Sequence, residues 1–465
     1  MADPAADVAI VLQPRRLRAP AVLLMLGIML VFGAALYARG RLSPVIVPDT
    51  SGYTEFPFRP LSAALEHYRT PGYPLFLKFA GKVASHWRAV PLLQYVLYCM
   101  AVLLFASAFA TVARTGKAAT CGLWLLGANI VIGPEATVAA VATDFLAAAL
   151  GLTVVALVLR RAVFEHPSRG STLLIAGVVA AAWLVRPAMV FLIALIPVLS
   201  LALRRVLHAH LPWNRLRRDF VVLMIAGAFP LLAYCSLRAA VVGRFGIVSF
   251  GGYNLIGVAG QFLDAQHVKL LPDRMRPLAE AAVERQSALW PADHPGAHED
   301  RLNYARLEAR YDDTIWKVYA PIAEERSDGN NAEVNSRLRE LATSIIRARS
   351  RDYATWLTKA SRQAARKLAA DFILNPWSLL AALLLISLEL AVILRGRHTT
   401  AAPSRGTKVL FLIAFLYSVF SLAVVVPVCP PLGRMTDAAG LFLPPLFISA
   451  CFDRLRRLRS SSVAV

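Results

Sequence analysis

Long apolar blocks alternate with short polar segments along the chain. The first block, Pro20 to Ala38, is long enough to cross about 30 Å of hydrocarbon as a helix. We predict ten such spans, near residues 20–38, 90–112, 118–134, 137–159, 171–186, 188–203, 220–241, 377–394, 409–428 and 439–452. The pattern therefore predicts an all-helical, polytopic membrane bundle of about ten transmembrane helices.

Composition favours a membrane protein and argues against two other classes. Of the 465 residues, 57% are apolar and 17% are charged, whereas roughly a quarter of a soluble domain is charged. Disorder requires few apolar residues and many charges. The net charge of +21 would suggest nucleic acid in a soluble protein, but cytoplasmic loops of membrane proteins carry this excess. We expect no nucleic-acid partner.

Basic residues in the short loops set the predicted orientation. A cytoplasmic N-terminus places all the Lys and Arg clusters inside, as the positive-inside rule requires. These clusters are Arg15–Arg18, Arg114–Lys117, Arg160–Arg161, Arg204–Arg218, Arg395–Arg397 and Arg454–Arg459. An alternative role for the Arg204–Arg218 cluster is binding lipid head groups. Both termini are then cytoplasmic, and segments 39–89 and 242–376 lie outside.

This topology divides the chain into three regions. They are an N-terminal transmembrane module with a first outer loop at 39–89, a mainly helical outer domain, and a C-terminal transmembrane module, over residues 1–241, 242–376 and 377–465. In the outer domain, apolar residues recur at three- and four-residue steps over Tyr304–Tyr319 and Val334–Ile345. This predicts two amphipathic helices, separated by the breaker Ser327–Asn330.

Polar residues at the outer membrane edge are the candidate site, because a charge there is costly unless it is solvated, paired or used. Asp49 could act as a general base on a substrate hydroxyl, although its spacing alone is better explained by a solvated loop aspartate. Arg69 offers a fork of donors that suits phosphate. Its alternative is an interfacial arginine whose head group reaches water.

Two more arginines lie at the same edge. Arg186 is flanked by apolar residues and needs a counter-ion or a phosphate. Asp144, in an apolar run, is its candidate partner, and the sequence leaves an ion pair and a functional role equally open. Arg434 is the only basic residue of the last outer loop, where the positive-inside rule predicts none.

The order and sidedness of these motifs resemble integral-membrane glycosyltransferases of the GT-C class. Within that class they are most similar to the protein O-mannosyltransferase and lipid A aminoarabinose transferase group. The motifs are Asp49 after the first span, Arg-x-Pro-Gly-Tyr-Pro at 69–74, Leu-x-Arg-Pro at 184–187, Gly-Tyr-Asn-Leu-Ile-Gly at 252–257 and Gly-Arg at 433–434. The resemblance covers most of residues 20–260 and 409–452 but not the outer domain at 258–375.

This resemblance implies a GT-C-type inverting transferase in a bacterial inner membrane, with its active site facing the periplasm. The donor would be a polyprenyl-phosphate-linked sugar, and the acceptor a periplasmic glycolipid, polysaccharide or protein such as a pilin. Asp49 would be the catalytic base. Arg69, Arg186 and Arg434 would contact the donor phosphate, and the substrate would be lined by Tyr53, Tyr73, Glu66 and Asp144. No cofactor is expected. A divalent metal, used by some GT-C enzymes, is unsupported because no acidic pair accompanies Asp49.

Three other classes compete with this interpretation. An O-antigen polymerase or ligase also has many spans and a large periplasmic loop, but it should lack a base after the first span. A secondary transporter should show inverted repeats and broken helices, which we do not find in the sequence. A non-catalytic envelope assembly protein predicts that Asp49 and Arg69 can be replaced without any effect on glycan chemistry.

Overall fold

The computed structural model describes residues 17–130, 138–290, 302–327, 330–394, 402–431 and 437–460. Within these ranges the regular elements are helices, and the isolated pairing of extended backbone is one parallel bridge between Val45 and Ala140. The predicted all-helical class is confirmed.

The helices fall into three groups along the chain. The first group is α1 (Ala19–Ala38), α2 (Ser51–Thr54), α3 (Leu61–Glu66), α4 (Gly72–Val83), α5 (Ala89–Ala110), α6 (Thr115–Ile130), α7 (Thr143–Ala162), α8 (Arg169–Val185), α9 (Phe191–Leu207) and α10 (Trp213–Val242). The second is α11 (Gly251–Ala259), α12 (Ala265–Val268), α13 (Arg276–Leu289), α14 (Tyr304–Ala309), α15 (Tyr311–Asp313), α16 (Ala320–Glu324), α17 (Asn331–Ala348) and α18 (Ser350–Leu374). The third is α19 (Pro376–Leu394), α20 (Arg405–Val425) and α21 (Leu443–Ser460).

Eight helical segments of the described chain are long and apolar enough to cross a membrane. They are Ala19–Ala38, Ala89–Ala110, Thr143–Ala162, Pro187–Leu207, Trp213–Val242, Pro376–Leu394, Arg405–Val425 and Ala438–Arg456. Helices α6 and α8 are shorter, with 16 and 17 residues. Each of the ten predicted spans thus contains a helix, although the end of the span predicted at 118–134 lies outside the described residues.

Helices α5 and α7 form the centre of the bundle. Helix α5 packs against α6 and α7, α7 packs against α8 and α9, and α9 packs against α10 and α20. Most of the α7 side chains are buried, whereas α1, α10 and α19 leave most of their apolar residues exposed. Exposed apolar surface of this extent is characteristic of helices that face lipid.

One predicted boundary is wrong. The span predicted at 137–159 begins as helix α7 only at Thr143, because residues 138–142 form a turn and a single bridge to the loop after α1. The Val45 amide donates to the Ala139 carbonyl, and the Val141 amide donates to the Val45 carbonyl, both at 2.9 Å. Apolar residues buried in extended backbone cannot be distinguished from a helix by pattern alone.

Residues 251–374 pack around a second apolar core, which also includes Val425, Val426 and Cys429 at the end of α20. Because the predicted topology places residues 251–374 outside the membrane, we call them the outer segment. The predicted stripe on α17 is fully buried, and it comprises Val334, Leu338, Leu341 and Ile345. Helix α17 packs against α11. The Asn330 side chain caps α17 by accepting a hydrogen bond from the Ala332 amide at 2.9 Å, which confirms the predicted helix. Asp328 and Gly329 of the predicted breaker lie outside the described residues.

The Tyr304–Tyr319 stripe is helical but not one regular α-helix. Leu307, Tyr311, Ile315 and Tyr319 are buried and follow one another at four-residue steps. In a straight α-helix such steps would rotate the stripe by about 40° each time. A wider π-helical turn over Thr314–Tyr319 offsets this rotation and keeps Tyr319 on the buried side.

The predicted orientation can be tested by cysteine labelling. Glu325, in the outer segment, and His166, between α7 and α8, are both exposed, and all five native cysteines are buried. In intact spheroplasts, Glu325→Cys should react with an impermeant thiol reagent, and His166→Cys should react only after lysis. The reverse pattern would overturn the layout and move the candidate site to the cytoplasmic side.

Candidate active site

Asp49 and Arg69 meet at one end of the bundle. Asp49 lies just before α2 and Arg69 just before α4, and the Arg69 Nη2 donates to the Asp49 Oδ1 at 2.7 Å. The side chains are 23% and 20% exposed, respectively, so the pair is accessible from solvent. A carboxylate beside a guanidinium is favoured in its charged, proton-accepting form.

Aromatic rings surround the Arg69 guanidinium. Its central carbon lies 4.8 Å from the ring centre of Tyr53, 5.2 Å from that of Tyr68 and 5.7 Å from that of Phe250. The Arg69 Nε is buried and has no acceptor among the described residues. Arg69 is thus held by cation–π contacts and one carboxylate, while a donor remains for a further acceptor.

Tyr53 and Tyr73 are packed together behind the pair and are 6% and 0% exposed, respectively. Their rings make an edge-to-face contact with centres 5.1 Å apart. Burial raises the pKa of the Tyr53 phenol, which also lies in the fields of Arg69, Asp49 and Arg186. Burial likewise raises the pKa of Tyr73 well above its ordinary value. Both phenols therefore stay protonated at neutral pH and can donate hydrogen bonds.

Arg186 and Asp144 form the ion pair that the sequence left open. Arg186 follows α8, and its Nη1 donates to the Asp144 carboxylate in the first turn of α7. The same nitrogen lies 3.4 Å from the Thr143 Oγ1. An aspartate in a first helical turn is also stabilised by the helix dipole. This pairing accounts for both charges, and their contact with substrate remains a prediction.

Two local contacts hold the Asp49 loop against the segment before α7 and the start of α4 against the end of α8. The Thr50 Oγ1 donates to the Val141 carbonyl at 3.0 Å, which ties the Asp49 loop to the segment before α7. At the start of α4, a Cβ on Gly72 would lie 2.5 Å from the Leu184 carbonyl. Only glycine allows α4 to approach the backbone so closely just before Arg186.

The close approach at Gly72 predicts a strong mutational effect. Gly72→Ala should lower the unfolding midpoint and also turnover, because its methyl group would push α4, and with it Arg69, away from α8. Gly81→Ala is a matched control in the same helix, since the nearest atom to its Cβ lies 3.9 Å away. For both variants we measure thermal unfolding and the release of prenyl phosphate from a prenyl-phosphate sugar. Equal behaviour of the two variants would show that the approach at Gly72 is not needed.

The remaining two predicted residues lie elsewhere. Glu66 is exposed and accepts a hydrogen bond from the Asn330 Nδ2 at 3.4 Å, so its direct contact is with the outer segment rather than with Asp49. Arg434 lies outside the described residues. Their predicted roles in the site are therefore not tested by these contacts.

A second cluster of arginines adjoins the site. Arg238, Arg244 and Arg339 line a cleft of about 480 Å³ together with Ser249, Asn335 and Ser336. Arg238 is only 1% exposed, and its guanidinium donates to three neutral acceptors: the carbonyls of Leu65 and Gly246, each at 2.7 Å, and the Ser249 Oγ at 2.9 Å.

The arginines of this cleft form no ion pair with a described carboxylate, although Glu66 lies in the electrostatic field of Arg238. The Arg244 Nη1 donates to the Ala332 carbonyl at 2.8 Å. Across the described ranges, no carboxylate lies within ion-pair distance of any of the three arginines. Clustered guanidinium groups without a counter-ion favour an anion such as phosphate. The cleft adjoins the Asp49–Arg69 pair through two consecutive residues, since Ser249 contacts Arg238 and Phe250 contacts Arg69.

Sequence analysis missed this cleft, although a signal was present. Arg238 lies inside the span predicted at 220–241, and an ionisable residue within a span is by default a candidate functional residue. The other members, Arg244 and Arg339, are separated by nearly a hundred positions in the sequence. Their proximity depends on how α17 packs beside the end of α10.

One group of described residues could hold a metal ion. The ligand atoms of Glu165, His208 and His210 all lie within 4.8 Å of one another. This group follows the C-terminus of α7, whereas Asp144 lies at its N-terminus. The intervening 20-residue helix is about 30 Å long, so a metal there would not reach Asp49.

The fold and the site together define an all-helical polytopic membrane protein with a charged, aromatic-lined site at one end of its bundle. Two solved structures are similar: ArnT from Cupriavidus metallidurans bound to undecaprenyl phosphate and the same protein in the apo state. Identities are 16% and 17%, the matches cover 94% of this chain and 78% and 77% of ArnT, and the TM-score is 0.35 for both.

Comparison with family models and with curated proteins gives no match. At a TM-score of 0.35, the similarity to ArnT assigns no role to any individual residue.

Proposed function

We propose that the protein is an inverting glycosyltransferase of the GT-C class that transfers a sugar from a polyprenyl-phosphate-linked donor to an acceptor outside the membrane. The observation that carries this proposal is the Asp49–Arg69 pair, at 2.7 Å, beside an arginine cleft at the end of the bundle. A base next to groups that stabilise a leaving phosphate is what this reaction requires.

Asp49 is proposed to be the general base. Its carboxylate accepts the proton of an acceptor hydroxyl, whose oxygen attacks the anomeric carbon of the donor sugar. A new glycosidic C–O bond forms on one face as the C–O bond to the phosphate breaks on the other. The electron pair of the broken bond leaves with the polyprenyl phosphate, and the configuration at the anomeric carbon inverts.

The arginines are proposed to bind the leaving phosphate. A guanidinium carries five donors, so Arg69 can keep its contact with Asp49 and bind a phosphate oxygen as well. Arg244 and Arg339 lie in the adjoining cleft and form no ion pair with a described carboxylate. In a partly dehydrated site these interactions are stronger than in water. Arg186 and Arg434 remain proposed donor contacts, and Tyr53, Tyr73 and Glu66 proposed lining residues.

A lipid donor explains why the cleft opens beside the bundle surface. Exposed apolar side chains of α10 include Phe229, Leu232, Leu237 and Val241, and Phe245 is exposed at the cleft itself. A prenyl tail can stay against this apolar surface while its phosphate enters the cleft. We assign the protein to a bacterial inner membrane, with this end facing the periplasm.

Conservative arginine variants test the phosphate site. Arg69→Lys should lower turnover about tenfold, because an ammonium cannot reproduce bidentate phosphate contact, and Arg186→Lys should have a smaller effect because Asp144 already pairs with Arg186. The assay incubates purified protein with short-chain prenyl-phosphate sugars and an envelope extract, and measures prenyl phosphate release by mass spectrometry. Arg88→Lys, at an exposed arginine before α5, is the control. Parental turnover in both site variants would show these arginines to be structural.

A further inference from the structure

Three aromatic rings of the outer segment form a stacked cluster beside the proposed active site. The Tyr253 ring lies 5.3 Å from Phe250 with an interplanar angle of 20°, and 5.5 Å from Trp316 with an angle of 27°. Phe250 and Trp316 are themselves 6.3 Å apart. We call Phe250, Tyr253 and Trp316 the aromatic platform.

The platform exposes the Trp316 ring to solvent, and the buried Tyr253 ring stacks against it. Trp316 is 50% exposed, whereas Tyr253 beneath it is 4% exposed. Trp316 lies in the π-helical turn, whose neighbouring residues Ile315, Val318 and Tyr319 are buried. The turn therefore directs one tryptophan outward while its neighbours anchor the backbone. Such a ring is rigid and loses little conformational entropy when a ligand binds.

The surroundings of Trp316 indicate the chemistry of the ligand. Over the described part of 251–372, the large exposed apolar side chains are Leu270, Leu289 and Trp316, which are well separated in the sequence. The next residue, Lys317, pairs with Asp313 at 2.8 Å, and both are exposed. A lipid tail or an apolar protein surface would need a continuous apolar patch. A flat ring bordered by charged groups matches a ligand with an apolar face and a polar edge.

A pyranose ring has this character, because its axial C–H bonds form an apolar face and its hydroxyls lie around the edge. The C–H bonds pack on the negative face of an aromatic ring, and the hydroxyls can bond to neighbouring charged side chains. We infer that the aromatic platform binds a sugar residue of a saccharide chain.

The platform leads directly to the proposed catalytic pair. Phe250, one of its members, lies 5.7 Å from the Arg69 guanidinium and 6.3 Å from the Tyr68 ring. A saccharide whose ring rests on Trp316 would thus extend past Phe250 toward Asp49. The platform is therefore an acceptor subsite, and the acceptor is a glycan. This assignment as acceptor rests on the proposed function, but saccharide binding by the platform does not.

Binding without turnover tests the inference. The full-length protein in lipid nanodiscs is applied to an array of bacterial and other oligosaccharides, and the affinity of the strongest ligand is then measured in solution. Trp316→Ala should weaken this affinity roughly tenfold, as loss of a stacking contact predicts, and Trp316→Tyr should restore most of it. Trp213→Ala is the matched control, because Trp213 is 54% exposed at the start of α10, remote from the platform.

Two results would overturn the inference: no saccharide on the array is retained by the parent protein, or Trp316→Ala binds as tightly as the parent. Unfolding midpoints confirm that each variant is folded. Asp49→Asn should keep the affinity while losing transfer. If the protein binds saccharide through Trp316 but no variant or parent transfers sugar, the platform stands and the proposed transferase function fails.

Discussion

Replacing Asp49 with asparagine should lower turnover by about 10²–10⁴-fold, the usual contribution of a general base. The amide keeps the shape of the side chain but cannot accept the proton of the acceptor hydroxyl. Turnover is measured on purified protein as release of prenyl phosphate from a synthetic prenyl-phosphate sugar. Binding of the donor should change much less than turnover, because the arginines remain in place.

The control for this experiment is Asp273→Asn. Asp273 has an 89% exposed side chain and pairs with Arg276 in the outer segment, so the same chemical change should leave turnover unaltered. Near-normal turnover in the folded Asp49→Asn variant would show that Asp49 is not the general base. It would also favour a polymerase or ligase, in which a carboxylate after the first span is not expected to act.

The double variant Arg244→Gln, Arg339→Gln should raise the KM for the donor by more than about 100-fold. Each hydrogen bond to a charged group contributes roughly 1.5–3 kcal/mol, and about 1.4 kcal/mol corresponds to a factor of ten. Arg238 is left intact in this variant because its three hydrogen bonds connect α3, the end of α10 and the following loop. The double variant should therefore remain folded.

A control with the same change in net charge is Arg285→Gln, Arg347→Gln. Both arginines are exposed on the outer segment and lie outside the cleft. KM and turnover are determined separately at varied donor concentration. A donor KM equal to that of the parent would show that the cleft does not hold the donor phosphate.

The helices were predictable because their pattern is local. Ten apolar blocks each contain a helix, and the buried stripe of α17 follows from its three- and four-residue steps. The loop residues of the site were found from motif order, yet the Asp49–Arg69 contact across 20 positions could not be derived from spacing. It depends on the short helices α2 and α3, which fold the loop back on itself.

Contacts between residues distant in sequence could not be predicted from the pattern of apolar and charged positions. Basic residues explained by topology alone also form buried ion pairs: the Arg161 Nη1 donates to the Asp219 Oδ2 at 2.7 Å, and Lys117 pairs with Asp453 at the same distance. The arginine cleft joins the end of α10 to α17 for the same reason. Charge sign and sidedness are visible in a sequence, but the partner of each charge is decided by helix packing.

The central claim is that the outer end of the bundle holds the phosphate of a lipid donor next to Asp49. A cryo-EM structure of the full-length protein with a short-chain polyprenyl phosphate tests it most directly. The account predicts phosphate density within hydrogen-bond distance of Arg69 or the cleft arginines Arg244 and Arg339, with the prenyl chain against exposed apolar side chains of α10. Phosphate density only at the opposite end, against the Arg204–Arg218 cluster, would contradict it.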